Sequence, residues 1–70
     1  MDGMTGDEGV LERAVAGLRT AEMAVIEARR KVTAAIIAER RAGMSVPEIA
    51  ERAGKTPIDI RNVLNVAGLT

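Results

Sequence analysis

Ten carboxylates and ten lysine or arginine groups are the ionisable side chains of this 70-residue chain, because histidine, cysteine and tyrosine are all absent. That removes an imidazole general base, a thiolate nucleophile, disulfides and nearly all transition-metal sites. Each acid sits in a helical charge pattern or near a helix start, and no two stand as an acid–base dyad. The expectation is therefore no catalytic residue, no metal and no cofactor, and so no enzyme. Phenylalanine and tryptophan are missing as well, which leaves no aromatic platform for stacking single strands or RNA loops. The remaining chemistry is that of charge and hydrogen bonding: guanidinium and ammonium groups for anions, and amides and hydroxyls for donor–acceptor pairs.

The charges cancel overall but not locally. Residues 1–28 hold six acids (Asp2, Asp7, Glu8, Glu12, Glu22, Glu27) against Arg13 and Arg19, a net of −4. Residues 29–70 hold eight bases against Glu39, Glu48, Glu51 and Asp59, a net of +4. A zero total does not exclude a polyanionic partner, since binding follows the local patch. Acids early and bases late in one helix would also complement its dipole.

The elements that must position these groups are helical. Met1–Gly6 reads as a flexible leader, and Thr5 with Glu8 fits a capping box that opens a helix over 7–42. No proline interrupts that stretch, and its alanine, glutamate, arginine, leucine and methionine favour helix, although Gly9 and Gly17 each cost about 1 kcal/mol relative to alanine. Gly43 after Arg40 and Arg41 ends the helix. Ser45-Val46-Pro47-Glu48 starts a second helix, with serine as N-cap and Glu48 at the capping-box position, and Gly54 closes it. Thr56-Pro57-Ile58-Asp59 repeats this grammar for a third helix to about Ala67, with Gly68 as its cap and Leu69 as the hydrophobic residue after it.

In residues 43–65, Ile49, Ala53, Ile60 and Val63 occupy inward positions of two short helices, Ala50 is small at their crossing, and Gly54 opens the turn. This spacing, Gly43…Ile49-Ala50…Gly54…Ile60…Val63, resembles the helix-turn-helix superfamily, especially the three-helix type similar to invertase and resolvase DNA-binding domains. Ile36 matches the core residue expected from the preceding helix, so the likeness covers about residues 32–66. The resemblance implies that the third helix enters the major groove of double-stranded DNA, with Thr56, Pro57, Ile58, Arg61 and Asn62 toward base edges. Arg61 would then pair with guanine, Asn62 with adenine, and Ile58 would meet a thymine methyl. Thr56 and the free amides at the helix start would hold a phosphate. Arg40, Arg41, Arg52 and Lys55 are the corresponding candidates for phosphate contacts. Two positions depart from the pattern: Lys55 stands where the family buries an aliphatic residue, and Asp59 puts a negative charge on the reading helix, there to pair with Arg61 or Lys55 or to accept from cytosine.

The long helix carries its own message. Leu11, Leu18, Val25 and Val32 recur every seven residues, and so do Ala14, Ala21, Ala28 and Ala35 between them. This is a heptad repeat with large residues at a and alanine at d. About thirty-five helical residues span roughly 50 Å, further than two short helices can cover, so a homodimer is expected. A parallel pair would set Gly17 against Glu22, Ala24 against Arg29 and Lys31 against Ile36, none of them complementary. An antiparallel pair centred between Ile26 and Glu27 faces Leu11 with the partner's Ala42, Leu18 with the partner's Ala35, and Val25 with the partner's Ala28. It also brings Glu22 to the partner's Arg29 and Val15 to the partner's Ile36. A second stripe, Met23, Ile26 and Ile37, stays outside the seam.

The fold class expected is thus all-α: a long dimerisation helix followed by a helix-turn-helix module over 43–70 that shares one domain with residues 32–42, the dimer antiparallel. No apolar run approaches a membrane span and no signal-peptide pattern opens the chain, so a cytoplasmic protein is expected. Abundant Ala, Gly, Val and Arg suggest a GC-rich bacterial or phage source. The function expected is homodimeric, sequence-specific DNA binding in transcription regulation. A helical protein-interaction adaptor with a further protein partner, or a phage packaging or structural factor, are the alternatives.

Overall fold

The computed structural model describes the backbone of residues 3–69 and the side chains of residues 9–69. Three helices follow in order, α1 (Gly3–Arg41), α2 (Val46–Ala53) and α3 (Pro57–Val66), with no strand among the described residues. No helix among them is long and apolar enough to cross a membrane.

α1 is continuous over 39 residues, a length of roughly 58 Å at the rise of an α-helix, and it sets the 63 Å long axis of a chain only 20 × 17 Å across. Gly9 and Gly17 do not interrupt its helical backbone. The start differs from the sequence expectation. Helix is already present at Gly3, so Thr5 lies inside it instead of capping it, and residues 3–6 are helical where a flexible leader was expected. The other two leader residues, Met1 and Asp2, lie outside the described residues. The sequence Thr5–Glu8 supplies a capping signature, but the backbone before it carries no proline to prevent another turn.

α1 ends as its sequence requires. Gly43 takes a φ of 102°, a left-handed conformation that a side chain would strain. Its N–H donates to the carbonyl of Arg40, while the Met44 N–H reaches back to the carbonyl of Glu39 at 3.0 Å. The same pair of bonds closes α2, where Lys55 N–H donates to Ala50, and α3, where Leu69 N–H donates to Leu64. These six-residue closures satisfy carbonyls that a helix end otherwise leaves open. In this motif the residue after the glycine usually packs on the helix it terminates. Met44 and Leu69 do so against the core. Lys55 holds the equivalent place and stays exposed, so the departure at Lys55 costs an apolar contact without burying a charge.

α2 and α3 fold back over the last turns of α1. The buried core is Ile36 from α1, Ile49 and Ala50 from α2, and Ile60 and Leu64 from α3, with Met44, Val46, Ala53, Val63 and Leu69 partly buried around it. Ala50 at the crossing lets the two short helices approach, as its spacing predicts. The centre of α3 lies differently from the sequence reading. Leu64, one turn after Ile60, is 1% exposed, whereas Val63 is only partly buried. An i, i+4 pair presents one narrow stripe, and Ile60 with Leu64 gives the larger payload on the face toward Ile36.

Leu64→Ala should therefore lower stability by about 2–5 kcal/mol, the usual range for a buried leucine. Val63→Ala should cost less. Thermal melts followed by circular dichroism rank the two, and the reverse order would return Val63 to the centre of the core.

Candidate functional site

α3 has one face committed to the core and the other free. Ile58, Asn62 and Asn65 fall opposite Ile60 and Leu64 by helical spacing, with Arg61 on the flank beside Leu64, and all four are exposed. Ile58 is the apolar member, 67% exposed at the start of the helix. Arg61 makes no ion pair among the described residues. Its guanidinium therefore has its donors available for an outside acceptor. Asn65 extends this face by one turn beyond Arg61 and Asn62. Sequence reading missed it, although its spacing of three and four residues from Asn62 and Arg61 was the available signal. Asn62 sits at the α1 edge of the face, lining a shallow cleft with Thr33, Val63 and Val66.

The helix start is built from its own side chains. Thr56 takes an extended backbone and its Oγ1 accepts from the Asp59 N–H at 3.1 Å, while the Asp59 carboxylate accepts from the Thr56 N–H at 3.3 Å. This reciprocal box satisfies two donors at once. It also accounts for Asp59, whose carboxylate is used here; no ion pair joins it to Arg61 or Lys55 among the described residues. A consequence runs against phosphate binding at this end. Pro57 has no N–H, the Asp59 N–H is taken by Thr56, and the Ile60 N–H donates to the Thr56 carbonyl. An arriving phosphate would meet the Ile58 amide beside a carboxylate, so the anion of this helix start is Asp59 itself.

α2 differs in a way that matters for charge. Ser45 caps it by accepting from the Glu48 N–H, but Glu48 does not return the bond. Its carboxylate instead takes Arg52 one turn later, at 3.1 Å. Exposed pairs of this kind contribute only a few tenths of a kcal/mol, so Arg52 can exchange Glu48 for another anion at little cost. Arg40 donates to the Met44 carbonyl at 3.0 Å, which ties one of its N–H groups to the end of α1. Arg41 and Lys55 are exposed and in no ion pair among the described residues. Arg40, Arg41, Arg52 and Lys55 thus surround the two turns that join the three helices.

The heptad residues lie open along the rest of α1. Every residue from Val10 to Ala35 is exposed, including Ala14, Ala21, Ala28 and Ala35. Leu11 is 67% exposed, Leu18 58%, Val25 47% and Val32 43%, so no described residue of the chain covers this stripe. At its C-terminal end the stripe runs into a groove between α1 and α2, lined by Val32, Ala35, Ile36, Met44, Ile49 and Ala53 together with the charged Glu39 and Arg52. Of the second stripe, Ile37 is half-buried, while Met23 and Ile26 remain exposed. Among the described residues no three acids, histidines or cysteines gather as metal ligands do.

In comparisons with protein families, curated proteins and solved structures, the chain matches none.

The two roles within α3 separate by mutation. Thr56→Ala removes the cap and should cost about 0.5–2 kcal/mol. Arg61→Ala, on the free face, should stay within about 0.5 kcal/mol of the parent. Urea titrations measure both, and a large loss for Arg61→Ala would make it a structural residue.

Proposed function

We propose that this chain is a sequence-specific double-stranded DNA-binding protein, acting as an antiparallel homodimer in transcription regulation. The observation that carries the reading is the free face of α3: Ile58, Arg61, Asn62 and Asn65 stand exposed in consecutive turns on a helix whose opposite face is anchored by Ile60 and Leu64. An arginine and two asparagines on one exposed helical face are the donors and acceptors that match guanine and adenine edges in the major groove. Pro57 and Thr56 at the start of that helix complete the group proposed to approach bases. Arg40, Arg41, Arg52 and Lys55 supply the positive charge that meets phosphates and fixes register without reading sequence. Because the α3 start is closed by Asp59, phosphate contacts fall to these side chains and not to the helix amides.

The dimer gives the face its symmetry. Antiparallel pairing about a dyad between Ile26 and Glu27 lays the acidic half of one α1 beside the basic half of the other. The module is attached to α1 at Ile36, an e position of the heptad, and in an antiparallel pair e faces the partner's e. Both modules therefore project from the same side of the rod. Along the axis the two copies of Ile36 stand roughly 28 Å apart by helix rise and the two α1 ends at Arg41 roughly 44 Å apart, a span that brackets the roughly 34 Å between adjacent major grooves on one side of B-DNA. An inverted-repeat site is the target this geometry fits.

A protein-docking adaptor is the second reading, favoured by the exposure of Ile58 and Val66 on α3. Salt separates the two, because phosphate contacts impose a steep decline of affinity with ionic strength.

Selection of bound sites from random duplex DNA should return an inverted repeat, with two chains per site. Arg61→Ala should cost about 1–3 kcal/mol of discrimination at one base pair of each half-site, with helicity unchanged. Val25→Asp should dissociate the dimer and remove binding to the repeat. Recovery of no preferred sequence, at low salt and with folded protein, contradicts the proposal.

A further inference from the structure

We infer that the groove between α1 and α2 is the seat of the second copy's α1, specifically the turn around the partner's Val15, so that each module's core is completed by the other chain. The inference rests on the antiparallel dimer proposed above and goes beyond it, because a seam along α1 alone would leave the groove empty. Three observations lead here.

The first is continuity. Val32 and Ala35 belong at once to the heptad stripe and to the groove, whose other wall is Ile49, Arg52 and Ala53 of α2, with Glu39 of α1 also on its rim. A helix lying on the stripe is therefore led into the groove. The second is the chemistry of the e flank. Positions e of paired helices usually carry charge, and Glu22 and Arg29 do so in the middle of α1. Toward the two ends they are Val15 and Ile36. Ile36 is buried in the module core and also lines the groove, while Val15 is left 39% exposed on its own chain. Antiparallel pairing sets Val15 opposite the partner's Ile36, so the apolar flank residue falls beside the apolar part of the groove lining, Ile49 and Ala53. Glu39 and Arg52 on the same lining then face the charged residues around it. The third is charge. The helical half that would enter carries a net of −4 within residues 1–28, and the half that receives it, with the module, carries +4.

The consequence is a coupling between assembly and reading. α2 is held on one side by Ile36 and α3, and on the other by the partner. The orientation of α3 therefore depends on the dimer being formed, and a monomer holds the same helices more loosely.

The natural absence of cysteine makes cross-linking a direct test. Chains carrying Val15→Cys are mixed with chains carrying Ala53→Cys and oxidised with copper–phenanthroline. A second mixture, Leu18→Cys with Ala35→Cys, reports the antiparallel seam. Circular dichroism checks that each variant keeps its helicity. The inference expects disulfide-linked heterodimers from both mixtures, and none from any variant alone. Linkage of Leu18→Cys to Ala35→Cys without linkage of Val15→Cys to Ala53→Cys leaves the seam standing and overturns the occupied groove. Self-linkage of Leu18→Cys means a parallel pair, and a monomer with no linkage at all means no dimer; either overturns both.

Discussion

An apolar stripe on a helix too long for its own chain to cover is the constraint on which the molecule turns. α1 runs for 39 residues, while α2 and α3 together can shield only its last turns, so every residue from Val10 to Ala35 meets solvent in the single chain. Helices in water draw most of their stability from packing an apolar face, and a lone core at this size supplies only about 3–5 kcal/mol. With no cysteine for a disulfide and no histidine or cysteine for a transition-metal site, the proposed burial by another chain is the route that fits this stripe. Charge, dipole and side-chain size all favour a second copy running the opposite way.

The turns of the α2–α3 module, in contrast, are closed locally. Each of its turns ends with the same two backbone bonds, each short helix begins with a hydroxyl cap, and one isoleucine from α1 joins the four buried residues of α2 and α3. Its polar groups divide cleanly between roles. Thr56 and Asp59 hold the helix start, Arg40 helps to end α1, and Arg61, Asn62 and Asn65 are left to outside partners. That division leaves a small exposed face, so the proposed DNA reading gains from two copies at fixed spacing.

Much of this was legible in the residues because caps are local chemistry. Ser45, Gly54, Thr56 and Gly68 mark their boundaries by properties that need no tertiary context, and α2 and α3 begin and end where those residues stand. The start of α1 was not legible in the same way: a capping signature at Thr5 competes with an equally permissible earlier turn, and nothing local decides between them. Leu64 was overlooked because Val63 and Leu64 are both apolar neighbours, and only the angle at which α3 crosses α1 selects which one points inward. The partners of Asp59 and Glu48 differ from the sequence reading for the same reason. Spacing assigns Glu48 to a capping box and Asp59 to Arg61, Lys55 or cytosine, whereas the built turns give Glu48 the guanidinium of Arg52 and Asp59 the Thr56 N–H. At the candidate interface, exposure of Arg61 and Asn62 followed from periodicity and the capping by Thr56 from its start signal, whereas the closing of that helix start to phosphate by Asp59 followed only from the built turn.

The central claim is that a second copy buries the α1 stripe, and sedimentation equilibrium of the unmodified chain at micromolar concentration tests it most directly. The account predicts a single species of twice the chain mass, losing helicity on dilution as the stripe is exposed. A monomer that keeps its full helical signal at the same concentration would contradict it.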